Sequence, residues 1–142
     1  SGSLMPQSLD STLPALRAGA QQAMLQAYAP YSNFRVGAAL LAENGAIVCG
    51  CNVENASYPA GICAERAALG AAVAAGHRRF SAVVIVSEAN EPTPPCGICR
   101  QALVEFGSSL QVVSRTAGGS EARWSLDELL PRPFTPSSLQ SR

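Results

Sequence analysis

Phe34-Arg35-Val36-Gly37-Ala38-Ala39-Leu40-Leu41, Glu43-Asn44-Gly45 and Ala46-Ile47-Val48-Cys49-Gly50-Cys51-Asn52 form two apolar runs separated by an Asn-Gly step. Both central residues of a type I′ turn need positive φ, which Asn and Gly tolerate, so the stretch predicts an antiparallel hairpin closed by that turn. Along its second strand Ile47, Cys49, Cys51 and Val53 share one face. Val48, Gly50, Asn52 and, if the strand continues, Glu54 share the other. An Asn and a Glu two apart at a strand end can grip the hydroxyls of a sugar, because a carboxylate accepts while an amide both donates and accepts. Capping of the following loop explains the pair equally well. Cys49 and Cys51 read as small core thiols in preference to a metal pair.

Outward from the hairpin, the chain alternates helices and strands. Upstream, Leu13, Leu16, Ala20, Ala23, Met24 and Ala27 recur at helical spacing between Leu13 and Tyr28. Asp10, Ser11 and Thr12 are cap candidates and Pro30 lies beyond the end, with Met24 and Tyr28 expected in the core. Downstream, an Ala-rich helix is expected from about Cys63 to Ala75, closed by Gly76. Its small side chains permit close approach at a subunit contact, or simply reflect that Ala is the best helix former. Ala82-Val83-Val84-Ile85-Val86 reads as a central strand covered on both faces. Three prolines between Ser87 and Pro95 stiffen the lead into a third helix, about Cys96 to Phe106. A strand near Gln111 to Val113, a short edge strand at Ala122-Arg123-Trp124 and a capped helical turn from Ser125 to Leu130 complete the pattern. The implied fold is a three-layer α/β/α sandwich around a mixed sheet of about five strands. The hairpin gives an antiparallel pair and the helical crossovers give parallel neighbours.

A chain of 142 residues fits one domain, expected over residues 4–142, with Ser1-Gly2-Ser3 resembling an expression scar. The composition, 47% apolar and 14% charged, is richer in apolar residues than an average soluble domain, which points to surface hidden against other subunits. Ten basic residues balance ten acidic ones, and they are scattered. Phosphate-backbone binding needs a concentrated positive field, so a small neutral substrate is expected and no nucleic acid. No run approaches the ~20 apolar residues of a membrane span, and no secretory pattern opens the chain, so a cytoplasmic protein without a membrane partner is expected. Five clustered cysteines then read as metal ligands plus spare buried thiols.

Cys63-Ala64-Glu65-Arg66 and Pro95-Cys96-Gly97-Ile98-Cys99-Arg100 carry the chemistry. Cys63 and Cys96 each stand where a helix begins, and unpaired backbone N–H groups with the positive dipole end favour thiolates there. Cys96 and Cys99 share a helical face. Cys63 and Glu65 are two apart and reach the same point only if Cys63 lies in the first turn. Three thiolates leave the fourth position of a tetrahedral zinc open to water, as in a catalytic site. A closed site completed by His77, Cys49 or Cys51 is the structural alternative. His77 lies about 21 Å along the helix from Cys63 and fits better as a residue near the helix C-terminus. Glu65 favours the open site, where a carboxylate can take a proton from water. Three thiolates over-neutralise one Zn²⁺; Arg66, on the face of Cys63, and Arg100, beside Cys99, are candidates to offset that charge.

From about Tyr28 to Leu130 the sequence resembles the small homotetrameric cytidine deaminases. The resemblance rests on Tyr31-Ser32-Asn33-Phe34-Arg35-Val36-Gly37-Ala38-Ala39-Leu40, Asn52-Val53-Glu54-Asn55-Ala56-Ser57-Tyr58-Pro59, Cys63-Ala64-Glu65-Arg66 and Pro95-Cys96-Gly97-Ile98-Cys99-Arg100-Gln101. It implies a cytidine deaminase-like fold with one zinc per chain held by Cys63, Cys96 and Cys99, Glu65 as proton shuttle and Arg66 as partner of the thiolates. It also implies Asn52 and Glu54 on the ribose, Phe34 against the pyrimidine and the backbone of Ala64 at the base edge. Tyr58 and Phe134 are the positions with which a neighbouring subunit completes the pocket. The implied activity is zinc-dependent hydrolytic deamination of cytidine and 2′-deoxycytidine to the uridines with release of ammonia, a pyrimidine salvage reaction. The alternatives are a deaminase of another cytosine compound such as blasticidin S, and a non-catalytic interaction domain stabilised by structural zinc. Ile98, where a smaller residue is usual, and Arg132-Pro133 before Phe134 depart from the family pattern and bear on pocket shape.

Overall fold

The structure, a computed structural model, describes residues 9–140; the expression scar expected at 1–3 lies outside them. Helix α1 (Leu9–Leu25) is followed by strands β1 (Val36–Ala42) and β2 (Ile47–Cys51), helix α2 (Ala64–Ala74) and strand β3 (Phe80–Ser87). Helix α3 (Gly97–Val104), strands β4 (Gln111–Thr116) and β5 (Glu121–Ser125), and short helices α4 (Leu126–Leu129) and α5 (Pro136–Gln140) complete the chain.

The strands form one sheet in the order β2-β1-β3-β4-β5. The α/β sandwich around a five-stranded mixed sheet is as the alternating sequence pattern implies. The pairing is less parallel than expected: only β3 and β4 run in parallel, because β1 inserts antiparallel between β2 and β3 and so separates the two strands that α2 connects. Period-two alternation sorts the sheet's side chains into two layers. Ala39, Leu41, Ala82, Val84, Val86 and Val113 pack on Leu13, Leu16, Ala20 and Met24 of α1. Ala38, Leu40, Val83, Ile85 and Val112 face Ala64, Ala68, Leu69 and Ala72 of α2, together with Leu103 and Leu126. The run Ala82–Val86 is buried throughout, as a central strand covered on both faces must be.

Two glycines set the helix–sheet spacing. A Cβ on Gly37 would lie 1.9 Å from the Ala20 carbonyl oxygen of α1, and one on Gly50 would lie 2.4 Å from the Ala68 nitrogen of α2. Both helices therefore touch the sheet at backbone distance; in α2 it is Ala64, Ala68 and Ala72 that are buried there, while Ala71 and Ala74 are exposed.

The hairpin forms, but its turn differs from type I′. Ala42 N donates to Ala46 O at 2.8 Å and Gly45 N to Ala42 O at 2.9 Å, and only Gly45 has positive φ (+94°). The loop is thus three residues long, with Gly45 in the left-handed position. Asn44 Oδ1 accepts from Ala46 N at 3.1 Å instead of adopting positive φ itself.

Three further expectations need correction. α1 ends at Leu25, so the helical phase that buries Met24 does not extend to Tyr28, which is 56% exposed. Cys49 is exposed and Cys51 only half-buried, because β2 is the sheet edge and the flank of α1, at Gly19, covers it incompletely. The tail also holds α5, which the sequence pattern did not suggest. By contrast α2 ends as its sequence dictates: Gly76 takes φ +99°, its N–H bonds Val73 O, and His77 N bonds Ala72 O, a Schellman termination.

Candidate metal centre

Cys63 is the N-cap residue of α2, with extended backbone (φ −75°, ψ 155°), and Cys96 is the N-cap of α3 in nearly the same conformation (φ −67°, ψ 168°). Cys63 thus lies just outside the helix, one step before the first turn in which the Cys-x-Glu spacing is expected to place it, and Glu65 lies within that turn. Cys99, one turn into α3, is fully buried. The three Sγ atoms lie within 4.8 Å of one another. A tetrahedral zinc with Zn–S bonds near 2.3 Å holds its sulfurs about 3.8 Å apart, so this donor set fits the ion with a small inward adjustment. Among the described residues no fourth His, Cys, Asp or Glu joins the group, so neither Cys49, Cys51 nor His77 closes the site.

The Cys63 thiol is held below its ordinary value. Hydrogen bonding from Cys99 holds it down to about 5 against the effect of burial, with Arg66 and Cys96 adding to it, while Cys99 beside it is pushed up and keeps its proton. Arg66 Nη2 stands 4.0 Å from Cys63 Sγ, as its i+3 position suggests, and its Nε is buried without a hydrogen-bond partner among the described residues. Arg100 does otherwise. Its Nε donates to Pro95 O at 2.7 Å and its Nη1 to Leu129 O at 2.9 Å. One residue on from Cys99 is a turn of about 100° away on the helix, so the guanidinium braces the loop before Cys96 against α4 instead of facing sulfur.

Glu65 is 6% exposed and lies against Cys63, Cys99 and Arg66. Burial, followed by the negative field of Cys63, raises its carboxyl above the ordinary carboxylate range, which suits a group that must take up and release a proton. Ala64, wholly buried at the first position of α2, presents a backbone N–H that has no partner within the helix.

Asn52 and Glu54 continue past the end of β2, where Tyr28 N bonds Asn52 O and Glu54 N bonds Tyr28 O. Their side chains turn toward the segment 31–36. Asn52 accepts from Val36 N at 2.9 Å and donates to Phe34 O at 2.9 Å. Glu54 Oε1 accepts from Tyr31 N at 3.0 Å and Ser32 N at 3.1 Å, and Oε2 accepts from the Ser32 hydroxyl. These bonds hold the carboxyl below its ordinary value, the Ser32 hydroxyl contributing most. The pair thus anchors the preceding loop, not the following one. Tyr31, Ser32, Glu54, Asn55, Tyr58 and Gly61 line an open cleft of about 360 Å³. Tyr58 is 79% exposed, edge-on to Tyr31 at 6.3 Å, and Phe34 borders on exposed. Phe134 is exposed, its carbonyl accepting from Gln101 Nε2 at 2.7 Å, and Ile98 projects into solvent from the first turn of α3. Sequence reasoning missed Ser32; a hydroxyl two residues before an aromatic gives no sign of its partner twenty-two positions away.

Residues 12–115 match the family model for the cytidine and deoxycytidylate deaminase zinc-binding region. The chain belongs to this family. A cytidine deaminase from Sporosarcina psychrophila is 44% identical over 87% of this chain and 92% of its own. Among solved structures, a cytidine deaminase from Burkholderia pseudomallei superposes with a TM-score of 0.82 at 48% identity, covering 85% of this chain and 98% of the other. The Mycobacterium tuberculosis cytidine deaminase superposes with a TM-score of 0.74 at 41% identity, covering 86% and 96%. The family is a zinc-binding one, and Cys63, Cys96 and Cys99 are the group of this chain whose arrangement fits such an ion.

Proposed function

We propose that the chain is a zinc-dependent cytidine deaminase that converts cytidine and 2′-deoxycytidine to the corresponding uridines. The observation that carries this is the buried carboxyl of Glu65 set against a cluster of three thiols that lacks a fourth protein ligand among the described residues. Cys63, Cys96 and Cys99 hold the ion. Zinc bound there supplies the Lewis acidity that makes water a nucleophile near neutral pH. Arg66 offsets the excess negative charge of the thiolates.

Hydrolysis forms a C–O bond at C4 of the pyrimidine and breaks the bond from C4 to the amino nitrogen, so protons must move from water to N3 and to the departing amine. Glu65 moves both. Its raised affinity for a proton lets it take one from water, deliver it to N3 and return a second to the amine, which leaves as ammonia. The N–H of Ala64 meets the base edge, Phe34 packs on the ring, and Asn52 and Glu54 hold the sugar. Valence allows this: Asn52 retains one donor and one acceptor position and Glu54 one lone-pair site on Oε2 beyond the bonds described.

The active form is a homotetramer in which Tyr58 and Phe134 complete a neighbour's pocket; the exposure of both, and of Tyr31 and Ile98, supports this. The catalytic unit spans residues 4–142. Five unpaired cysteines suit a reducing cytoplasm, where the reaction serves pyrimidine salvage.

Ultraviolet absorbance of cytidine incubated with the protein, run beside a zinc determination, tests the reading. The wild type converts cytidine with about one zinc per chain, and Glu65→Ala keeps the zinc and loses turnover by several orders of magnitude. Wild-type turnover in a fully metallated Glu65→Ala protein rejects it, and a zinc-loaded wild type inert toward cytidine moves the substrate to another cytosine compound.

A further inference from the structure

The hydroxyl of Ser32 joins two parts of the site that the sequence keeps apart. It donates to Glu54 Oε2, the oxygen that still has room for a ligand, and it accepts from Phe34 N at 3.1 Å. Phe34 is thereby held at both ends of its own peptide frame, at N by Ser32 and at O by Asn52 Nδ2. The residue between, Asn33, has φ +55°, the one positive value outside glycine among the described residues. Asn tolerates the left-handed region better than other non-glycine residues. The turn at Asn33 lies between the Ser32 hydroxyl and the Phe34 N–H that donates to it.

We infer that Ser32 is a positioning residue that sets the sugar-binding oxygen of Glu54 and the ring of Phe34 in one fixed relation, and so determines how strictly the enzyme demands the sugar hydroxyl that Glu54 receives. The inference rests on the proposed nucleoside reading of this cleft. Its physical content is a restriction on Glu54. A carboxylate has about four lone-pair sites. Tyr31 N and Ser32 N take both on Oε1, and the Ser32 hydroxyl takes one on Oε2, so one direction of approach is left for an incoming hydroxyl. Without the Ser32 hydroxyl two directions open on Oε2 and the Phe34 N–H loses its acceptor. The bound nucleoside then loses orientation while the zinc centre, on other elements, is untouched.

The test is a double-mutant cycle of Ser32→Ala and Glu54→Ala, read with cytidine, 2′-deoxycytidine and 3′-deoxycytidine, with zinc content and melting temperature as controls and Ser32→Thr as the conservative variant. The expected result is a roughly tenfold fall in kcat/KM for cytidine in Ser32→Ala, carried by KM, with zinc retained and Ser32→Thr close to wild type. The loss shrinks on the Glu54→Ala background and with the deoxy analogue that lacks the hydroxyl held by Glu54, leaving only the part carried by Phe34. An unchanged KM in Ser32→Ala while Glu54→Ala is impaired overturns the inference, as does an undiminished loss on the Glu54→Ala background. Glu54→Ala with wild-type constants on all three nucleosides overturns the sugar-binding reading itself.

Discussion

Cys63 and Cys96 occupy the same position at the starts of two different helices, each the N-cap residue with extended backbone. An N-cap side chain faces the unpaired N–H groups of the first turn, where serine is the better cap and cysteine the better zinc ligand. Replacing either by serine separates the two roles. Cys96→Ser is expected to bind substoichiometric zinc and to melt several degrees lower than the wild type, and a chelator should lower the melting point of the wild type but not of the mutant. Full zinc occupancy in Cys96→Ser, measured by metal analysis, removes Cys96 from the ligand set. Cys49→Ala should leave the zinc content unchanged, since its sulfur lies outside the cluster.

Gly37 and Gly50 leave no space for a methyl group, with backbone atoms of α1 and α2 at 1.9 and 2.4 Å from the added carbon. Gly37→Ala and Gly50→Ala must push a helix off the sheet and are each expected to cost more than about 2 kcal/mol. Gly70, within α2 and exposed, has nothing within 4 Å. Gly70→Ala should raise helix stability by about 1 kcal/mol. Chemical denaturation of the three variants gives opposite signs. A neutral Gly37→Ala contradicts the close approach of α1.

Glu121 of β5 receives Arg17 Nε at 2.9 Å and Nη2 at 2.7 Å from α1, with Arg115 at 3.5 Å. The Arg17 hydrogen bonds hold its carboxyl below the ordinary value of 4.5. A depressed carboxyl contributes stability that is complete above its unfolded value and lost as the pH falls through the folded one. Glu121→Gln is therefore expected to lower stability on the order of 1 kcal/mol at pH 7 and progressively less below about pH 4. Equal losses at pH 7 and pH 3, from denaturant melts, exclude this ion pair as the cause.

Phe134 is anchored through its carbonyl, which accepts from Gln101 Nε2, while the residue itself is exposed. If the ring enters a neighbour's pocket, Phe134→Ala raises KM severalfold in a protein whose sedimentation is that of the wild type. Unchanged KM and kcat at unchanged sedimentation place the tail outside the pocket.

The parts of this molecule that can be read in sequence are those decided by near neighbours along the chain. The Cys63 cap, the Gly76 termination and the Arg66 approach to Cys63 depend on spacings of a few residues within one helix, and all three are found. Tyr28 escapes the helical pattern because apolar spacing continues past Leu25, where the helix has already stopped. Asn44-Gly45 marked a hairpin but not its loop length, since the Asn side chain took a local hydrogen bond that a backbone rule does not foresee. Arg100 stood beside a ligand in sequence and away from it in space. Ser32 and Glu54, and likewise Arg35 with Glu88, meet only after β1 has paired with its neighbours, and no periodicity records such a meeting.

The thiols that converge from α2 and α3 also bear on how the chain reaches its folded state. Bridging Cys63 and Cys96 closes a loop of about 33 residues, and a cross-link of that span removes roughly 4 kcal/mol of chain entropy from the unfolded ensemble if it persists there. Cys96 and Cys99, by contrast, lie close enough to share an ion in a chain that has barely collapsed. Zinc held by all three thiols would act as a clasp between the starts of α2 and α3, which join only once the long loop between them has closed. Metal supplied during refolding should accordingly slow unfolding far more than it speeds folding.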